Sequence, residues 1–166
     1  PVVAASSIYL QELLQLCIAF YKGEGAWHNR IVRNTTQSIY SHAELMMPDG
    51  KSISILPFST EGVRKVWLEA EENMEDYDII CVPATPEQID TIERFYDDTK
   101  GDGYDWAGMI LSKFTPFHIK RTGRWYCSEW IAYALRLAGA VDNLYHYSDL
   151  TPQRLYEVLR KYADDK

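Results

Sequence analysis

The segment Ile39 to Leu56 constrains this chain more than any other, because Pro48-Asp49-Gly50 interrupts two runs of alternating apolar and polar residues. A three-residue turn of this kind places glycine where the backbone must become left-handed, and so predicts a β-hairpin. The turn sets a register in which Met47 faces Lys51, Leu45 faces Ile53, Glu44 faces Ser54 and His42 faces Leu56. Ala43, Leu45, Met47, Ile53 and Ile55 then share one face, a coherent core side. His42, Glu44, Ser52 and Ser54 project together from the other. A two-residue loop would mix serines into the apolar face, which a period of two disfavours.

Around this hairpin the chain reads as strands first and helices later. Ser7 to Tyr21 is either a helix running into a strand that ends at Lys22-Gly23, or one long helix. His28 to Thr36 is a short helix or turn. Gly62 to Leu68 alternates as a strand, and Tyr77 to Val82 is a short apolar one. Thr85-Pro86-Glu87-Gln88 starts a helix, with proline at the first helical position and glutamine at the capping-box position. That helix carries Ile89, Ile92, Phe95 and Tyr96 on one stripe and stops near Gly101. Further helices are expected over Trp106 to Lys113, from Ser128 to Leu137 with a stop at Gly139, and from Thr151-Pro152 through Tyr162. The order predicts an α+β domain, an antiparallel sheet packed against helices. At 166 residues and 46% apolar content, residues 1–166 make one domain with one core, and residues 1–15 are an N-terminal extension to it.

Charge narrows the partners. Seventeen Lys and Arg against 24 Asp and Glu give a net charge of -7, with the basic residues scattered. Such a chain is poorly suited to a nucleic-acid backbone or an anionic membrane. No apolar stretch approaches the ~20 residues that span a bilayer, and no charged leader with an apolar stretch opens the chain. The expectation is a protein of the cytoplasm, without membrane insertion. Cys17, Cys81 and Cys127 are odd in number and irregular in spacing, with no CxxC pair, so neither a structural zinc nor a disulfide framework is expected. They read as reduced thiols. The Gly101 to Asp105 run lacks the spacing and terminal glutamate of a calcium loop. No metal or other cofactor is expected.

Two residues carry potential chemistry. Cys127 follows Arg124-Trp125-Tyr126 where the chain turns into a helix. The unpaired N–H groups and positive dipole end there favour a thiolate and can also donate to an oxyanion. A cysteine at a helix start is more often a small apolar residue, but His42 shifts that balance. An imidazole on a rigid strand suits a general base for a thiol, and a third polar group commonly orients it. Glu44, on the same strand and face, and Ser54, on the partner strand, are the two candidates. His28, His118 and His146 lack such a setting.

Tyr40-Ser41-His42-Ala43-Glu44-Leu45, the Pro48-Asp49-Gly50 hairpin, Tyr104-Asp105-Trp106-Ala107-Gly108 and Trp125-Tyr126-Cys127-Ser128-Glu129, in that order, resemble a circularly permuted papain-like fold. This is the NlpC/P60 superfamily, in its YiiX/LRAT-like branch, where the histidine strand precedes the cysteine helix. The likeness is nearest to phage-encoded members and covers roughly Phe20 to Gly139. It implies a cysteine hydrolase or acyltransferase acting on an amide, ester or thioester, with Cys127 as nucleophile and His42 as base. The third position in such sites usually lies on the next strand, here nearest Ser54. Tyr126, Trp106 and Tyr40 would line the substrate cleft. A phage protein of this kind would act in the host cytoplasm or the virion. The charge favours a peptide or amide substrate, such as a peptidoglycan peptide, over a lipid ester. A non-catalytic binding or structural protein on the same fold is the alternative, and a lipid-directed acyltransferase or phospholipase a third.

Overall fold

The computed structural model describes residues 14–25, 27–57, 59–67, 74–105, 123–142, 144 and 150–165. Strand β1 (Leu14–Tyr21) lies inside a five-stranded sheet with β2 (His42–Met46), β3 (Lys51–Ile55), β4 (Val63–Trp67) and β5 (Tyr77–Ala84). The order is β4-β3-β2-β1-β5 and every pairing is antiparallel. Helix α1 (Trp27–Thr36) connects β1 to β2, and a single 3₁₀ turn (Met74–Asp76) precedes β5. Helices α2 (Pro86–Thr99), α3 (Cys127–Leu137) and α4 (Pro152–Asp164) follow, with a two-residue parallel pair, β6 (Gly103–Tyr104) and β7 (Arg124–Trp125), leading into α3. The domain is therefore α+β with an antiparallel sheet.

The hairpin has the predicted register, with Leu45 opposite Ile53, and Gly50 is left-handed at φ 84°. The Met47 N–H donates to Lys51 O across the turn. Of the two readings of Ser7 to Tyr21, the described part, from Leu14, is a strand. A strand flanked on both sides needs little alternation, so Leu16 to Phe20 reads as a nearly continuous apolar run. Leu16, Ile18 and Phe20 are fully buried, as are Ala43, Leu45 and Ile53 of the hairpin. Helix α4 sets Tyr156 edge-on to Phe20, α3 packs against β2, and α2 packs against α3. In α2 the Thr85–Gln88 capping box is formed on both sides, and Pro86 stands at the start. Phe95 of this helix stacks on Trp130 of α3, whose indole N–H donates to Thr99. The expected helix at Trp106 to Lys113 and residues 1–13 lie outside the described residues.

The structure corrects the reading of the cysteines. Cys17 of β1 and Cys81 of β5 stand directly opposite each other and are joined by a disulfide, leaving Cys127 as the free thiol. Spacing along the chain could not show this, because 64 positions separate two residues that only the sheet brings together. Among the described residues, no helix is long and apolar enough to cross a membrane, and no group of three or more potential metal ligands occurs.

Candidate active site

Cys127 opens α3. Tyr126, the residue before it, is extended (φ -105°, ψ 160°) and provides no side-chain cap, so the first-turn N–H groups are left uncapped by their own N-cap residue. The Ser128 hydroxyl donates to the Leu150 carbonyl and pins this turn from the far side. His42 is the first residue of β2, the strand on which α3 packs, and its imidazole meets the Cys127 thiol. Cys127 is 3% exposed and His42 6%.

The face of the hairpin that the alternation marked as polar is also covered: Ser52 is fully buried and Ser54 nearly so. His42 is thus not a surface strand histidine. Its Nε2 lies 3.5 Å from Glu44 Oε1, and Glu44 Oε2 accepts from the Ser52 hydroxyl at 2.8 Å. At 3.5 Å the His42–Glu44 contact is an ion pair rather than a well-formed hydrogen bond. Both ring nitrogens are buried without an aligned partner among the described residues. Resting active sites often show such long contacts, which shorten when substrate is bound.

Electrostatics follow from this enclosure. Burial alone would push the imidazole down, but the neighbouring Cys127 and then Glu44 outweigh it and raise its pKa from 6.5 to about 10. Burial likewise pushes Glu44 up, while His42, the Ser52 hydroxyl and the more distant Arg64 guanidinium bring it below its ordinary value. The ring is therefore an imidazolium at neutral pH, with the Cys127 sulfur and the Glu44 carboxylate both beside it. A cation in that position stabilises negative charge on sulfur.

The structure brings Cys127, His42 and Glu44 together. Ser54, the other candidate orienter, stands opposite Arg64 of β4; the group beside the imidazole is Glu44. Tyr126 is buried at the N-cap, next to the thiol in sequence. Tyr40 lies in the core, 1% exposed, where its hydroxyl donates to Asp78 Oδ2 at 2.6 Å and its ring packs on Phe20 and Tyr156. That placement gives it to the sheet rather than to a cleft. Trp106 lies outside the described residues.

Three neighbours were not singled out from the sequence. Tyr104 is buried close to Cys127, and burial together with that neighbour pushes its phenol well above the ordinary range. Tyr77 of β5 is raised to about 12 by burial and by the Glu44 charge. Ser52 holds the carboxylate. Ser52 had a signal in its place on the polar face of the hairpin, and Tyr104 in the Tyr104-Asp105-Trp106-Ala107-Gly108 motif; Tyr77 arrives through β5, whose place beside the site no local pattern specifies. No family model matches the chain, and no curated protein matches it.

Proposed function

We propose that this chain is a cysteine hydrolase that cleaves an amide bond, on a circularly permuted papain-like fold of the NlpC/P60 type. The observation that carries the reading is the free thiol at the first position of α3 against a buried imidazole paired with a carboxylate. The Cys127 sulfur adds to the substrate carbonyl, and the Cys127 backbone N–H donates to the oxyanion. The imidazolium of His42 gives its proton to the leaving nitrogen as the C–N bond breaks, which leaves a thioester. His42, now neutral, takes a proton from water as its oxygen attacks. The thioester then opens, the carboxylic acid departs, and sulfur leaves as the thiolate beside the re-formed imidazolium of His42. Glu44 keeps the ring oriented and favours its charged form, the role that a third residue serves in such sites.

The net charge of -7 favours peptide or amide substrates over lipid surfaces. The Cys17–Cys81 bridge favours a virion or another oxidising setting over the host cytoplasm. A second reading, a non-catalytic binding protein on the same fold, draws on one observation: both Cys127 and His42 are more than nine-tenths buried.

Labelling with a thiol-directed electrophile under non-reducing conditions separates the two. The hydrolase should be labelled in its folded state, the Cys127→Ala variant should lose the label, and His42→Ala should react about 100-fold slower. Equal labelling of parent and Cys127→Ala would overturn the enzyme. Labelling of the parent only after unfolding would support the binding protein.

A further inference from the structure

We propose that Ser52 is a positioning residue for His42, acting through Glu44. The inference rests on the hydrolase reading for its purpose, but its geometry stands by itself. Residues two apart on one strand point the same way, so a glutamate must fold its flexible side chain back along β2 to reach its neighbour's ring. Nothing in the strand holds it there. Ser52, on β3, is diagonal to Glu44 rather than opposite it, since its register partner is Met46. From that position its fully buried hydroxyl donates to Oε2 at 2.8 Å, while Oε1 is left facing His42 Nε2. With one oxygen tethered, the plane of the carboxylate is set.

The charged and titratable groups acting on the His42–Glu44 pair come from three other elements: Cys127 on α3, beside the imidazole, and Arg64 on β4 and Tyr77 on β5, beside the carboxylate. Arg64 competes with His42 for the same carboxylate. It is also ion-paired with Glu61 at 2.6 Å, and its Nε is buried without an aligned partner among the described residues. A carboxylate released from Ser52 has a cation to turn toward. The tether depends in turn on Pro48-Asp49-Gly50, because a one-residue slip of β3 would present Lys51 or Ile53 in place of the hydroxyl.

The experiment is an NMR titration of the His42 ring in the full chain, with parent, Ser52→Ala, Ser52→Thr, Glu44→Gln and the double variant Ser52→Ala/Glu44→Gln. Ser52→Ala should lower the midpoint by about one pH unit, the equivalent of one lost hydrogen bond. Ser52→Thr, which keeps the hydroxyl, should stay near the parent. In the Glu44→Gln background the serine change should shift nothing further. An unchanged midpoint in Ser52→Ala, or an equal shift with and without Glu44, would overturn the proposal. Should the alanine variant not fold, Ser52→Cys keeps the volume with a weaker donor, and the same downward shift is expected; no shift overturns it. The titration requires no turnover, so loss of the hydrolase reading would show in the labelling experiment and not here.

Discussion

The disulfide between Cys17 and Cys81 makes the most direct quantitative test of the fold. The bridge ties the inner strand β1 to the edge strand β5 and closes a loop that contains α1, the hairpin and β4. The sequence separation is 64. The chain-entropy relation for a loop of that size gives a loss of about 14 cal/mol/K in the unfolded state, or about 4 kcal/mol at 25 °C. Reduction leaves the ladder intact, since β1 and β5 remain paired along eight positions from Leu14–Ala84 to Tyr21–Tyr77. The expected effect is therefore a less stable protein with the same fold. With a urea slope of about 2 kcal/mol/M, the midpoint should fall by about 2 M on adding a phosphine reductant. Cys17→Ser/Cys81→Ser should behave like the reduced parent and be indifferent to reductant. Thiol counting on the urea-unfolded chain should find one free sulfhydryl before reduction and three after. Three thiols before reduction, or coincident midpoints with and without reductant, would refute the bridge and the accounting built on it.

Two further outcomes are expected. His42 has a folded pKa of about 10 against an ordinary 6.5, so the stability linked to its charge is fully present below pH 6.5 and lost as pH rises through 10. Urea unfolding between these values should show the parent losing stability relative to His42→Gln, which has no ring to titrate, at up to about 1.4 kcal/mol per pH unit; parallel curves would contradict the imidazolium. Gly62 is left-handed at φ 66°, and a Cβ there would sit 2.4 Å from the Asp102 carbonyl oxygen, at the point where Val63 N–H donates to that same oxygen. Gly62→Ala should cost about 2 kcal/mol or more and lower the thermal midpoint by about 4–8 °C, and an unchanged midpoint would show that the turn relaxes freely.

What could be read from the chain was what local patterns determine. Pro48-Asp49-Gly50 specified a register because turn geometry and period-2 burial agree there. Thr85, Pro86 and Gln88 specified a helix start because each satisfies a backbone need of that first turn. The start of β1 was ambiguous for the opposite reason: Leu10, Leu13 and Leu14 have helical spacing, while Leu16 to Phe20 have none, and only the flanking strands decide the matter. The Cys17–Cys81 pairing is non-local in the same way. At the site, sequence placed Cys127 and His42 in their elements, but Glu44 and Ser54 could not be separated. Both share the polar face, and the choice turns on how one side chain folds back along its strand. Tyr104 and Tyr77 reach the site from segments with no periodic signal toward it.

The burial on that polar face itself bears on function. A strand pair with aliphatic residues at positions 42, 44, 52 and 54 would be covered by the same fold without desolvating an ion pair. Replacing buried charges by packed hydrocarbon is commonly neutral or stabilising. Here the face instead carries an imidazole raised to about 10, a carboxylate held below its ordinary value and two hydroxyls, all within one hairpin. Two ring nitrogens are left without aligned partners, a condition that costs about 1–3 kcal/mol for each unsatisfied group. Folding alone does not call for such an arrangement. Local departures of this kind from the most stable choice concentrate where a protein does chemistry or binds something. That the departure coincides with the free thiol at the start of α3, and not with the apolar face a strand's breadth away, is what links the energetic anomaly to Cys127.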